Sequence, residues 1–311
     1  MPNFYCPDTL KIIKEYLNVK FYKINDDFTL NKDDYFEQIR KHNPRVILNY
    51  TFLGFSLNKA EQEKLDSLCG ESTIIIEDYA HRIIDKSKII QSSKNRLYVD
   101  SVRKHRSLLG SHIFSDNFSY KKNTVEKMNS YKIRCGLLQT SRNLLELASL
   151  IFRSPKLYVL SEKIFLRLDK VIGSKSPKPT LGSFYSYHMY NLLDAEKIKK
   201  HKKELALYYN SKLKEIKSPI VTVLEDKLIQ SSELCYYPVI VNKNHIDALI
   251  EYLSLHGIYA DKLWDPNDLD FESYEHANKK LFESLVILPL SWSVKKTDVD
   301  FMSDTIIKFL K

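Results

Sequence analysis

The chain has 311 residues, 43% of them hydrophobic, which is enough for one large domain or two smaller ones with their own cores. Its 48 Lys and Arg against 39 Asp and Glu leave a net charge of +9, but the lysines lie in stretches such as EKIKKHKKELALYYNSKLKEI, where acids interleave as on a solvated helix face. No basic block is joined to an aromatic stacking motif, so no nucleic-acid partner is expected.

The four cysteines, Cys6, Cys69, Cys135 and Cys235, are dispersed without a C-x-x-C pair. That argues against a zinc ribbon or a disulfide scaffold and fits reduced thiols in a cytoplasmic protein. MPNFYCPDTLKIIKEYL lacks the apolar core of a secretion signal, and no apolar run reaches the ~18 residues of a membrane span, so no membrane partner is expected. The seven glycines stand at 54, 70, 110, 136, 173, 182 and 257, never closer than nine positions. Neither a dinucleotide turn nor a P-loop can be built from them, so a bound phosphate needs side chains and helix N-termini.

In chain order, Asp8 is expected to cap a helix with Ile12, Ile13, Tyr16 and Leu17 on its apolar face. VKFYKI reads as a strand, with a helix near Asp34 to Lys41 after it. RVILNY, STIIIED, RLYVDS and SHIFSD read as further strands, and the helix NKAEQEKLDSLCG ends at Gly70 in the position that favours glycine. This alternation predicts an α/β fold with a mostly parallel sheet flanked by helices. Ligands in such sheets sit at the carboxyl ends of the strands, where Asp78 and Ser101 fall.

From Asn123 to Val171 the pattern is helical, with Leu144, Leu145, Ala148, Ile151 and Phe152 on one stripe. GSKSPKPTLGS reads as a boundary. Beyond it come a long helix ending near Lys217, the strands PIVTVLE, LCYYPVIVN and SLVILPLSW, the helix NHIDALIEYLSLHG and a C-terminal helix from Val299 to Leu310. The expected domains are therefore 1–180, a large α/β unit, and 181–311, a smaller α+β unit.

Two segments carry chemistry. IIIEDYAHRI delivers Asp78, with Ala80 and His81 just beyond; DSVRKH delivers Ser101 and Lys104. Each alone has a plain structural reading: a helix cap, a packed histidine, a surface lysine. Together they match the needs of pyridoxal phosphate (PLP), which is held covalently by a lysine amine and takes a carboxylate against its ring nitrogen. Arg103, His105 and Arg106 supply neighbouring cations that would lower the Lys104 amine toward reactivity. The Ser101 hydroxyl can donate to the cofactor phosphate, and Ala80 can lie against the ring face.

These segments resemble the DegT/DnrJ/StrS family of sugar aminotransferases, which are PLP enzymes of fold type I, along nearly the whole chain. VILNYTFLGF is similar to the family's strand with an aromatic-x-Gly turn, IIIEDYAHRI to its E-D-x-A-[QH] box, and SVRKHRSLLGS to its lysine segment, with Gly110 arriving early. CYYPVIV, LHGIYADKLW and LVILPLSWSVKKTDVDFM resemble its small domain. Family members usually begin with a further helix and loop, so the resemblance implies a shortened N-terminus, and the family's G-x-N-x-R stretch is not visible in NFSYKKNTVEKMNSYKIRC.

The resemblance implies PLP as cofactor, Lys104 as the residue that carries it and moves the α-proton, and Asp78 as the ring-nitrogen partner. It puts His81 near the ring hydroxyl and Ser101 on the phosphate. The implied reaction moves an amino group, with glutamate as donor, to a keto group on a nucleotide-linked sugar or similar metabolite, and the implied pathway is cell-surface polysaccharide biosynthesis. The implied assembly is a homodimer or a pair with a related chain. A second reading stays open: a non-catalytic paralogue serving as partner or regulatory subunit.

Overall fold

The computed structural model describes residues 1–82, 95–101, 113–115, 130–152, 154–173, 194–216 and 218–311. The chain forms two compact units: Met1–Val99 with Asp194–Lys311, and Asp100–Leu193. The α/β class expected from the sequence is what the structure has.

In the first unit, helices α1 (Pro7–Lys14) and α2 (Lys32–His42) precede strand β1 (Val46–Tyr50); helix α3 (Lys59–Leu68) then leads to β2 (Ile74–Tyr79), and β3 (Asn95–Asp100) follows. The three strands lie in the order β1, β2, β3. β1 and β2 are parallel, with Val46 opposite Ile74 and Tyr50 opposite Asp78. A parallel pair needs a crossover, and α3 supplies it. Asn58 caps that helix, accepting from the Glu61 N–H while the Glu61 carboxylate accepts from the Asn58 N–H.

The same unit holds a second, antiparallel sheet of β5 (Val221–Val223), β6 (Tyr237–Val241), β7 (Asp261–Lys262) and β8 (Leu285–Leu288), in the order β5-β6-β8-β7. Helices Ala195–Leu213, Ile246–Leu255 and Lys296–Phe309 belong with it. Phe4 joins the two halves: its ring meets Phe52 at 4.9 Å, Trp264 at 4.8 Å and Phe282 at 4.6 Å. One hydrophobic core therefore runs from the N-terminal segment to the C-terminal helix. The compact units divide the chain elsewhere than at the 180/181 boundary, because that shared core ties the last 118 residues, Asp194 to Lys311, to the first 99.

The second unit contains the two-residue strand β4 (Ile113–Phe114) and helices α4 (Ser130–Ile151) and α5 (Pro155–Gly173). The stretch expected to be helical from Asn123 to Val171 holds these two helices, parted before Pro155, and residues 123–129 lie outside the described residues. The expected apolar stripe does not face inward. Leu144, Ile151 and Phe152 are exposed, whereas Cys135, Ser149, Ser161 and Leu168 are buried.

Several local expectations are corrected. Cys6 rather than Asp8 caps α1: Pro7 takes the first helical position, and Asp8 sits in the first turn beside the helix's positive end. Pro7 and Leu10 are the buried residues of that helix, while Ile12, Tyr16 and Leu17 are exposed. Among the described residues VKFYKI makes single bridges, Pro2 with Tyr22 and Ile24 with Leu30, because the chain turns back at once through Asn25 to Thr29. α3 ends on Cys69 in an extended conformation, so Gly70 takes no left-handed turn. The C-terminal helix begins at Lys296, ahead of the expected Val299, because the Asp298 carboxylate accepts from the Lys295 N–H.

Candidate active site

The carboxyl ends of β1 and β2 carry the site. The Thr51 hydroxyl donates to the Asp78 carbonyl at 3.0 Å and its N–H to the same oxygen at 3.4 Å, which pins the chain leaving β1 to the end of β2. Residues Phe52–Gly54 then make a short 3-10 turn. Gly54 has φ +86°, and a Cβ there would lie 2.4 Å from the Glu233 carbonyl oxygen. Only glycine satisfies both conditions, so the aromatic-x-Gly turn is a packing requirement.

Asp78 is 8% exposed. Its Oδ2 accepts from the Tyr5 hydroxyl at 2.7 Å, and its Oδ1 accepts from the Ala80 N–H at 2.9 Å. The second bond is the local turn an aspartate makes two residues ahead of itself. His81 is fully buried among aromatic rings, with centroids at 5.7 Å for Phe52 and 6.2 Å for both Tyr236 and Trp264. Burial, the Asp78 charge and the hydrogen bond all push the Tyr5 phenol well above its usual range, so it stays a proton donor.

Beside this group, Arg82 donates to Glu233 from Nε at 3.2 Å and from Nη2 at 3.0 Å, and its guanidinium lies 4.7 Å from the Tyr79 ring centroid. Lys199 approaches the same carboxylate at 3.3 Å. Burial alone would raise the Glu233 carboxyl, but Arg82 and Lys199 outweigh it and hold it below the usual carboxylate range. On the other face of β2, buried Glu77 pairs with Arg96, which also reaches Asp66, and accepts from the Asn49 amide at 2.8 Å. Burial raises the Glu77 carboxyl to about 7 in spite of Arg96 and Asn49.

The structure thus brings Asp78, Ala80 and His81 together at one strand end, ringed by Tyr5, Phe52, Tyr236 and Trp264. Ser101 is half-buried directly after β3, in the second unit. Lys104, Arg103, His105, Arg106 and Gly110 lie outside the described residues. Sequence reasoning missed Tyr5, Arg82 and Glu233. For Arg82 a signal existed: a cation directly after a buried box needs a carboxylate partner. For Tyr5 and Glu233 there was none, because their partners lie 73 and 151 residues away.

No family model matches the chain, and no curated protein matches it. Solved structures do share its fold. Helicobacter pylori PseC, an aminotransferase involved in the biosynthesis of pseudoaminic acid, aligns with TM-score 0.64 at 13% identity, covering 99% of this chain and 78% of that one. The E. coli GDP-4-keto-6-deoxy-D-mannose-3-dehydratase, solved with bound hydrated PLP, aligns with TM-score 0.60 at 14% identity over 100% of this chain and 79% of that one. A DegT DnrJ EryC1 StrS aminotransferase from Brucella abortus aligns with TM-score 0.58 at 15% identity over 99% and 78%. The chain has the fold of these enzymes, and the likeness spans nearly all of it.

Proposed function

We propose that the chain is a PLP-dependent aminotransferase of the DegT/DnrJ/StrS type. It would move an amino group, from glutamate, to a keto group on a nucleotide-linked sugar bound for cell-surface polysaccharide. The observation that carries this reading is Asp78: a buried carboxylate at the end of a parallel strand, in a fold whose solved relatives include a PLP-bound enzyme. The residues present fit the cofactor. The Asp78 carboxylate is the acceptor that a ring N–H needs, and the Tyr5 and Ala80 donors hold one of its oxygens each. When bound, PLP supplies the electron sink for breaking the bond to the α-proton.

In this reading Asp78 holds the proton on the ring nitrogen, and Ala80 lies against the ring. His81, fixed by its aromatic surround, sits near the ring hydroxyl. Ser101 binds the phosphate, and Lys104 carries the cofactor and moves the α-proton. The working assembly is a cytoplasmic homodimer or a pair with a related chain, which sedimentation at micromolar concentration would show. Among the described residues no helix is long and apolar enough to cross a membrane.

The test is direct. The chain mixed with PLP should turn yellow, and borohydride should then fix one cofactor to the Lys104 peptide. Lys104→Ala should lose that label, while Lys94→Ala keeps it. A chain colourless in excess cofactor would overturn the enzyme in favour of a non-catalytic paralogue. Label on another lysine would overturn only the choice of Lys104.

A further inference from the structure

Tyr5 touches the carboxylate on which the proposed function depends, and nothing in the sequence singles it out. We propose that Tyr5 is a positioning residue for Asp78: its hydroxyl fixes the plane of the carboxylate against which the cofactor ring nitrogen binds. This rests on the PLP reading above.

The geometry argues as follows. The Ala80 N–H holds Oδ1 from the same turn as Asp78 itself. The Tyr5 hydroxyl holds Oδ2 at 2.7 Å from a different segment, and two donors on two oxygens define a plane. Tyr5 itself is held on both sides. Before it, the Asn3 N–H donates to the Tyr22 carbonyl at 2.8 Å, the Asn278 N–H donates to the Asn3 carbonyl at 3.0 Å, and Phe4 is packed among three aromatic rings. After it, the Cys6 carbonyl accepts from the Leu10 N–H at 3.0 Å in the first turn of α1. A phenol anchored in this way is fixed support for the carboxylate, with no freedom to act as a lid.

The experiment is a double-mutant cycle on PLP affinity, read from the extent of borohydride labelling over graded PLP concentrations. Tyr5→Phe should weaken binding about tenfold in the parent, the size expected for one hydrogen bond to a charged group. In an Asp78→Asn background the same substitution should change binding less than about twofold, because the plane it fixed no longer matters. Tyr22→Phe is the control. It removes another buried phenol, one that donates to the Leu48 carbonyl at 2.9 Å, and should leave affinity within about twofold of the parent. Thermal unfolding confirms that each variant is folded. Unchanged affinity in Tyr5→Phe, or an equal loss in both backgrounds, overturns the role of Tyr5 and leaves the PLP reading standing. A parent chain that takes up no PLP overturns both.

Discussion

Arg82 grips both carboxylate oxygens of Glu233 across 151 residues of sequence, at 3.2 and 3.0 Å. It is the charged clasp between the site-bearing turn after β2 and the segment leading into β6. Removing Arg82 takes the two-oxygen partner from a largely buried Glu233 and leaves it Lys199. Arg82→Ala should cost about 2 kcal/mol in urea unfolding, below the range for fully buried pairs because both side chains keep some solvent. The Glu233 carboxyl is depressed in the folded state, so its contribution is present above the unfolded value of 4.5 and is lost as pH falls through the lower folded value. Glu233→Gln should remove that acid-side loss. A variant as stable as the parent at pH 7 would show that the clasp contributes nothing.

Glu77 acts with the opposite sign. Its folded value, raised by burial to about 7 from 4.5, means the folded state binds a proton that the unfolded state has released. Its contribution is complete below pH 4.5 and is lost as pH rises to about 7. Glu77→Gln keeps a polar partner for Asn49 and Arg96, and should flatten the fall in stability across that window. Denaturation at pH 5 and pH 7.5 measures it; parallel pH profiles for parent and variant would refute the assignment.

Gly54 and Gly257 both have positive φ, at +86° and +73°, but only Gly54 meets a neighbouring backbone. Gly54→Ala should cost roughly 2–4 kcal/mol, from strain and overpacking together. Gly257→Ala, with nothing within 4 Å of the new Cβ, should cost only about 1 kcal/mol. Equal midpoint shifts for the two would mean that the approach to Glu233 is not tight.

Asp78→Asn should preserve the fold. The amide oxygen can accept from the Ala80 N–H while the amide nitrogen donates to the Tyr5 oxygen, since a phenol accepts as well as donates. The lost negative charge should show as weaker uptake of PLP and slower turnover in an amino-transfer assay. A variant that reacts as fast as the parent would remove Asp78 from the ring-nitrogen role.

What the sequence disclosed follows from the range of the interactions involved. Short apolar and β-branched runs located β1, β2 and β3, and the strand-end position of Asp78 could be read because ligand sites in parallel sheets lie there. Ala80 and His81 came with it, being local to the same turn. Tyr5 stayed hidden because a tyrosine two residues before a proline gives no hint that its hydroxyl reaches another segment. The α4 stripe misled for a different reason. Leu144, Ile151 and Phe152 have perfect helical spacing, yet periodicity shows only that a face is apolar, not which way it turns. VKFYKI failed as a strand because pairing depends on partners, and its neighbours offer single bridges.

The aromatic cluster of Phe4, Phe52, Trp264 and Phe282 has a consequence for biosynthesis. A ribosome makes Phe4 ahead of two of its ring partners, 260 residues before Trp264 and 278 before Phe282. Until then the N-terminal segment has no completed core to enter, and its apolar side chains wait in an unfinished nascent chain. Contacts of such sequence separation slow folding and expose the chain to misassociation. Pausing or truncation before residue 264 would strand Phe4 and Phe52 without Trp264 and Phe282. The step that buries the segment around Phe4 therefore waits for the stretch that carries Trp264 and Phe282.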